Sequence, residues 1–472
     1  MSVTGTSGGY FRRRGLPKWI SGFFFSATMI LYALASVVTQ AAENRLGVSL
    51  LVQQDHDDNY LMNSSEKQAL SGLYLKPSLG YNHDDGFEKF SINVQGSAEQ
   101  FNRSEYNVNN PVYSLEYKRA MERSTFNLGY DAVRQSTRIS ELADSGNIGT
   151  NNQQINTASG GWQYQVNHRN MFSMSGSLQD TDYESDTYVD LKNKGTQLGW
   201  QTDLNDRLSF YTVLSGTEYE SGYDGNFLLA PRRIQGYLLC PPNLNVKSET
   251  NCGDVKLAGN AVNGTTTSGI QAGIKWALQE QLKFSLDAGV TYVDTKQTIT
   301  TPEFSVVYGS PIDQNIFFGG KRLISSESTL TTSNMSISYV LEASTYTLSL
   351  ARKIRPSSTG TLMRSESLDF SMIKSLSEIN WVEIIFTAEN LLTLENKTVG
   401  ASVVDRSIFQ SNVKYGHLLS KALTVSVTVG YRYLDANDVK PAQENIFNNE
   451  PTVANALLGV LAISYTPREW IW

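Results

Sequence analysis

The sequence predicts an all-β protein: a transmembrane antiparallel up-and-down β-barrel of about eighteen strands (sixteen to twenty), with short periplasmic turns and long extracellular loops. Three observations predict it. Segments of about 10 to 15 residues alternate apolar and polar side chains nearly to the C-terminus. Very short turns alternate with long polar loops along the chain. Beyond residue 38 no stretch approaches the roughly 18 apolar residues of a helical span.

The first forty residues are of another kind. Arg12, Arg13, Arg14 and Lys18 form a positive block, an apolar run follows from Trp19 to Val38, and Thr39, Gln40, Ala41 and Ala42 close it. That order is expected of a secretory signal peptide over 1–42, cleaved after Ala41 or Ala42, with the barrel over 43–472. The rival reading is an uncleaved anchor, since the run is long enough to span. No Cys follows the run, which argues against a lipoprotein. Removing the four cations takes the formal net charge from −7 to −11. An acidic exported chain is a poor partner for nucleic acid.

The strands read in order. Phe90, Ile92, Val94 and Ala98 oppose Ser91, Asn93, Gln95, Ser97 and Glu99. Phe126, Leu128, Tyr130 and Ala132 oppose Asn127, Gly129 and Asp131; Phe172, Met174 and Leu178 oppose Ser173, Ser175, Ser177 and Gln179. Leu282, Phe284, Leu286, Ala288, Val290 and Tyr292 oppose Lys283, Ser285, Asp287 and Thr291. Tyr346, Leu348 and Leu350 oppose Thr347 and Ser349; Leu423, Val425, Val427, Val429, Tyr431 and Tyr433 oppose Thr424, Ser426, Thr428, Gly430 and Arg432. One face is apolar and the other wet, so a negative mean hydropathy of −0.30 is no objection to a membrane protein.

Short turns are expected near Asp84–Gly86, Met121–Ser124, His168–Asn170, Leu204–Asp206, Glu280, Ala343, Ser375–Leu376 and Ser420. Long loops are expected near Asp57–Gln68, Asn102–Asn110, Ser136–Gln153, Asp182–Asp186, Glu220–Asn263, Asp294–Ser325, Pro356–Gly360, Leu391–Thr398 and Asp435–Pro451. An even strand count puts both termini on the short-turn side. Lipid offers a bare N–H or C=O no partner, so a sheet that spans must close on itself. Aromatics near strand ends, among them Tyr113, Tyr117, Trp162, Tyr164, Trp200, Trp276, Tyr292, Trp381 and Tyr433, can supply interfacial girdles, with some left for the lumen. The chain closes on Trp470 and Trp472, a terminal aromatic resembling the last-strand signal read by the outer-membrane assembly machinery; Pro467 interrupts the pattern.

Gln54–Glu66, QDHDDNYLMNSSE, crowds three aspartates on one of four histidines. Three readings compete. A rim hydrolase would pair Asp with His56 to activate water, but no second acidic pair is readable. Asp55, Asp57, Asp58 and Asn59 form a weak candidate site for a divalent cation such as calcium, without the spacing of an EF-hand. The favoured reading is a solvated loop whose Asp and Asn side chains bond their own backbone. His83, His168 and His417 complete no catalytic trio, so no enzyme, no catalytic residue and no cofactor are expected.

The lumen is the better functional candidate. Glu99, Asp131, Lys283, Asp287 and Arg432 are set among Ser, Thr and Asn, a lining that suits water and sugars, and charge there sets selectivity. The plainer reading is that each merely solvates the wall. Glu220–Asn263 and Asp294–Ser325 are long for simple connections, and one of them is expected to fold inward. Cys240 and Cys252, 12 apart, suggest one disulfide stiffening the first; two free thiols are the alternative. Tyr219, Tyr223, Phe227 and Tyr237 in the same region could stack on sugar rings.

Asp57-Asp58-Asn59 after the first strand, Lys76-Pro77-Ser78-Leu79-Gly80 on the second, the turn Asp84-Asp85-Gly86, the strand to Phe101, and Glu122-Arg123 before Phe126–Arg134 carry a resemblance. The chain resembles the β-barrel porins associated with bacterial exopolysaccharide and PEP-CTERM gene clusters. The likeness covers the mature chain as a pattern, with local identity in its first hundred residues. It implies a Gram-negative outer-membrane barrel linked to polysaccharide production or export, in contact with lipid, lipopolysaccharide, polysaccharide and periplasmic export proteins. It supplies no catalytic residues. A plugged barrel that docks periplasmic export partners through its short turns is the alternative, ahead of a rim-sited hydrolase.

Overall fold

The computed structural model describes residues 43–62, 67–137, 151–184, 189–229, 232–234, 237–239, 255–308, 314–356, 362–394, 405–437 and 452–471. The expected signal segment 1–42 and both cysteines lie outside them.

Eighteen strands form the barrel. They are β1 (Glu43–Asp57), β2 (Leu70–Asp84), β3 (Glu88–Gln95 continued by Ala98–Phe101), β4 (Val108–Asn109 continued by Val112–Ala120), β5 (Ser124–Ser136) and β6 (Asn152–Gln165). Next come β7 (Asn170–Tyr183), β8 (Asp190–Asn205), β9 (Leu208–Leu229), β10 (Val255–Ala277), β11 (Leu282–Tyr308) and β12 (Gln314–Val340). The last are β13 (Ser344–Pro356), β14 (Leu362–Ser375), β15 (Asn380–Thr393), β16 (Asp405–Ser420), β17 (Leu423–Asn437) and β18 (Thr452–Tyr465). Each pairs antiparallel with its sequence neighbour, and β18 pairs with β1, from Leu50↔Tyr465 to Asp57↔Leu458, which closes the sheet. Beyond Pro467 the register with β1 moves by one residue, and Trp470 and Ile471 pair with Leu46 and Arg45. Among the described residues no helix is long and apolar enough to cross a membrane.

The ladders sort the two faces. Val427 pairs with Leu461 and Val429 sits two residues on, all exposed large apolar side chains; Thr428 on the other face pairs with Val460. Leu178, Leu214, Ile270, Val290 and Leu350 continue the exposed apolar face around the barrel, and Tyr113, Trp162, Trp200, Trp276 and Tyr292 border it. An exposed apolar belt with aromatic edges is what a lipid-facing wall requires. The inner face carries Ser, Thr, Asn, Gln and most of the wall's glycines. Trp381 belongs to the inner face, because it pairs with Gly416 and its ring lies over that glycine.

All eight short connections fall where the sequence places them. At five of them Asp, Asn or Ser side chains bond the turn backbone, as when the Asp85 carboxylate accepts from the N–H of Phe87 (2.9 Å) and of Glu88 (2.5 Å). Two of the expected long loops are corrected. The two ends of Glu220–Asn263, Glu220–Leu229 and Val255–Asn263, and most of Asp294–Ser325 are ladder: β9 and β10 run 22 and 23 residues, and β11 and β12 run 27 each. Tyr223–Leu229 pairs with Val255–Ala261, and Asp294–Tyr308 with Gln314–Glu327. A small hairpin, Arg232–Ile234 with Tyr237–Leu239, follows β9. The longest ladder changes register between Thr301 and Phe304, where Pro302 has no N–H to give.

One transverse row has a special composition. Gly96 N–H donates to Pro77 O (2.9 Å), and Arg134 N–H to Pro111 O (3.0 Å). Gly96 therefore sits between two prolines, and β3 and β4 each break at this level before resuming in unchanged register. Neither proline can return the second bond of its pair.

Candidate functional site: a lumen cavity under the first loop

The first loop turns inward. Asp57, the last residue of β1, accepts from the Asn59 N–H (3.1 Å), and the Asn59 amide donates to Asn455 O on β18 (2.9 Å). Asn59 is fully buried. Asp58 N–H donates to Leu457 O (3.1 Å), and the Asp58 carboxylate accepts from Leu457 N–H (2.6 Å). Met62 follows with φ +48°, a left-handed conformation uncommon outside glycine. It is 3% exposed and packs on Leu434, Ala454 and Ala456, with Ile408 beside them. Apolar contact on the inner wall holds Met62 in this strained position. The expectation of a solvated loop is thus corrected: the Asx turn is present, but its residues are buried against the opposite end of the chain.

The loop between β3 and β4 clasps it from the other side. Tyr60 and Tyr106 share a hydroxyl hydrogen bond of 2.5 Å with rings edge to face. Arg103 donates to Tyr60 Oη (3.2 Å) and Gln68 Oε1 (2.8 Å). Tyr106 closes a single 3-10 turn, Ser104–Tyr106, and burial, reinforced by the Tyr60 hydroxyl, pushes its phenol well above the usual tyrosine range.

A cavity of about 480 Å³ lies beneath. Its charged lining is Asp55, Asp57, Lys76, Glu99 and Arg432; Gln53, Asn110, Gln135 and Gln410 add amides; Tyr60, Tyr74, Leu70, Leu458 and Val460 add ring and aliphatic surface. Arg432 and Asp57, both largely buried, form an ion pair. Tyr74 Oη donates to Asp55 (2.6 Å), and the Lys76 ammonium stands 5.0 Å from the centre of the Tyr74 ring. Glu99 accepts from Ser97 Oγ (2.9 Å) and the Asn110 amide (3.4 Å). Gly72 makes room for this packing: a Cβ there would come within 2.4 Å of the Phe101 ring.

The sequence-derived residues are placed as follows. Glu99 and Arg432 line this cavity together. Asp287 is buried elsewhere on the inner wall, where it accepts from Tyr211 Oη (2.6 Å), the Gln271 amide and the Asn334 amide (3.4 Å). Asp131 pairs with Ser114 and Thr157, four residues before Gln135 on a strand that borders the cavity, and Lys283 pairs with Ala277 and Ser338 on another part of the wall; neither lines the cavity. The four residues of the candidate cation site each have protein partners. Asp55 is held by Tyr74, Asp57 by Arg432, Asp58 by Leu457 with Lys67 at 3.5 Å, and Asn59 by Asn455. Among the described residues no group of three His, Cys, Asp or Glu side chains converges as metal ligands.

His56 points to the opposite side of β1 from Asp55 and Asp57, and its Nδ1 meets Ser71 Oγ at 2.7 Å on the exposed face. His83 and His417 bond to Asn44 (2.9 Å) and Asn380 (2.7 Å). The alternation of β1 itself thus sets His56 apart from Asp55 and Asp57. Sequence reasoning missed Tyr60, Tyr74, Lys76 and Asn110. The signal was available only in part, since Leu70–Lys76, LSGLYLK, alternates correctly but both faces contain bulky residues.

No protein-family model matches the chain, and no curated protein matches it. Among solved structures, it is similar to the open form of the ferric-catecholate import receptor Fiu of E. coli K12, at 10% identity and TM-score 0.43, over 89% of this chain and 81% of that one. The ferric yersiniabactin uptake receptor FyuA of Yersinia pestis matches at 8% identity and TM-score 0.42, over 90% and 80%. OpdO of Pseudomonas aeruginosa matches at 10% identity and TM-score 0.40, over 90% and 97%.

Proposed function

We propose that the chain is a porin-like barrel of the outer membrane of a Gram-negative bacterium, exported by its signal segment, that passes or guides solute without covalent chemistry. On this reading it serves an exopolysaccharide production or export system, with lipopolysaccharide around its belt. The observation that carries the reading is the state of the inner face. Ser175, Ser177, Gln197, Asp131 and Lys283 lie on it and are solvent-exposed, so water reaches deep into a lumen lined by hydroxyls, amides and charges.

The first loop favours a second reading, a plugged barrel that docks periplasmic partners through its short turns, because Asn59, Tyr60 and Met62 are buried against the inner wall. Single-channel conductance of the refolded mature barrel in a planar bilayer separates the two. A steady current from the intact protein is expected. Current only after residues 58–69 are replaced by a tight turn would favour the plugged barrel, and no current in either form would overturn the channel.

A further inference from the structure

We propose that the cavity beneath the first loop is a binding site for a neutral sugar unit. The proposal rests on the lumen being the solute path of the preceding section. Size comes first: 480 Å³ falls in the roughly 300–1,000 Å³ range of small-ligand sites. Chemistry comes second. A pyranose shows hydroxyls around its edge and C–H bonds on its faces, so it needs acceptors and donors in one plane and ring or aliphatic surface above or below. The cavity lining supplies both kinds of group. Asp55 and Glu99 offer carboxylate oxygens, and Gln53, Asn110, Gln135 and Gln410 offer amides that both donate and accept. Tyr60, Tyr74, Leu70, Leu458 and Val460 offer the apolar surface.

Charge decides the class. Asp57 and Arg432 offset each other in their ion pair. Asp55 and Glu99 remain against Lys76, so the lining is net acidic, and an added uronate or phosphate would face more repulsion than attraction. A neutral ring meets no such cost. Asp55 and Glu99 are already oriented by Tyr74 and by Ser97 with Asn110, so little ordering is left to be done on binding.

The test is isothermal titration of the refolded mature barrel in detergent micelles with cellotriose, maltotriose and trigalacturonate, beside the conductance measurement. A neutral trisaccharide is expected to bind, with Kd raised at least fivefold in Glu99→Gln and in Tyr74→Phe; heat-modifiable gel mobility shows that both variants fold. Binding of trigalacturonate in preference to both neutral probes would overturn the proposal, as would no binding of any probe. Conductance keeps the two readings apart: current without binding removes the sugar site and leaves the channel, whereas binding without current removes the channel and leaves the site.

Discussion

Arg432 of β17 reaches across β18 to the carboxylate of Asp57 at the outer end of β1, a pair 375 positions apart whose side chains are only 9% and 12% exposed. Charge thus ties the first strand to the penultimate one, across the ladder that ties it to the last. Removing one partner strands a buried charge, so Asp57→Ala is expected to cost about 3–5 kcal/mol. The double change Asp57→Leu with Arg432→Met should cost less than either single truncation. The temperature at which folded barrel converts to unfolded mobility on gels measures both.

Met62 is the apolar peg of the first loop. Glutamate at this position would place a charge against Leu434, Ala454 and Ala456 and drive the loop off the wall. Met62→Glu is expected to raise single-channel conductance while the barrel stays folded. Unchanged conductance would show that the loop does not narrow the path.

His56 faces away from the cavity and touches Ser71 on an exposed surface. His56→Ala is therefore expected to change stability by under about 0.5 kcal/mol and conductance not at all. A hydrolytic activity lost in this variant would instead favour the rim enzyme.

Gly416 is spaced for Trp381. A Cβ there would lie 2.2 Å from the indole, and Lys414 stands 4.9 Å from the same ring centre. Gly416→Ala is expected to displace the indole and destabilise the barrel by about 1–3 kcal/mol. Tryptophan emission should move to longer wavelength.

Asp85 lies in the short turn after β2, where the N–H groups of Glu88 and Phe87 hold its carboxyl below the usual aspartate range. A depressed pKa in the folded state stabilises the turn above the unfolded pKa, and that contribution is lost as pH falls through the folded one. Amide exchange at Phe87 and Glu88 is expected to quicken over that acidic window, and Asp85→Asn should abolish the pH dependence.

Legibility followed the length scale of the cause. Leu423–Tyr433 could be read as a strand because lipid on one side and water on the other impose a period of two on eleven consecutive residues. Asp84–Gly86 could be read as a turn because its bonds are local. The outer parts of β9–β12 could not: beyond the lipid belt both faces are free to be polar, so Thr295, Lys296, Gln297 and their neighbours look like loop even while they pair. The inward fold of Asn59, Tyr60 and Met62 was hidden for another reason. Their partners, Asn455, Tyr106 and Leu434, are distant in sequence, and no local pattern announces them. Of the cavity, alternation located Glu99 and Arg432, but their meeting depends on ring closure.

The row Pro77–Gly96–Pro111 has a mechanical consequence. A closed sheet resists flattening because every strand is laced to two neighbours. Two lacings are missing here at one height, one between β2 and β3 and one between β4 and β5, and the middle residue of the row has no side chain. Lys76, Ser97 and Asn110, the immediate chain neighbours of that row, stand on or beside the cavity wall. The barrel is therefore most pliant beside the cavity: under lateral pressure its cross-section should become elliptical along this seam first. One panel of wall could then bend while the other fifteen strands keep their circle.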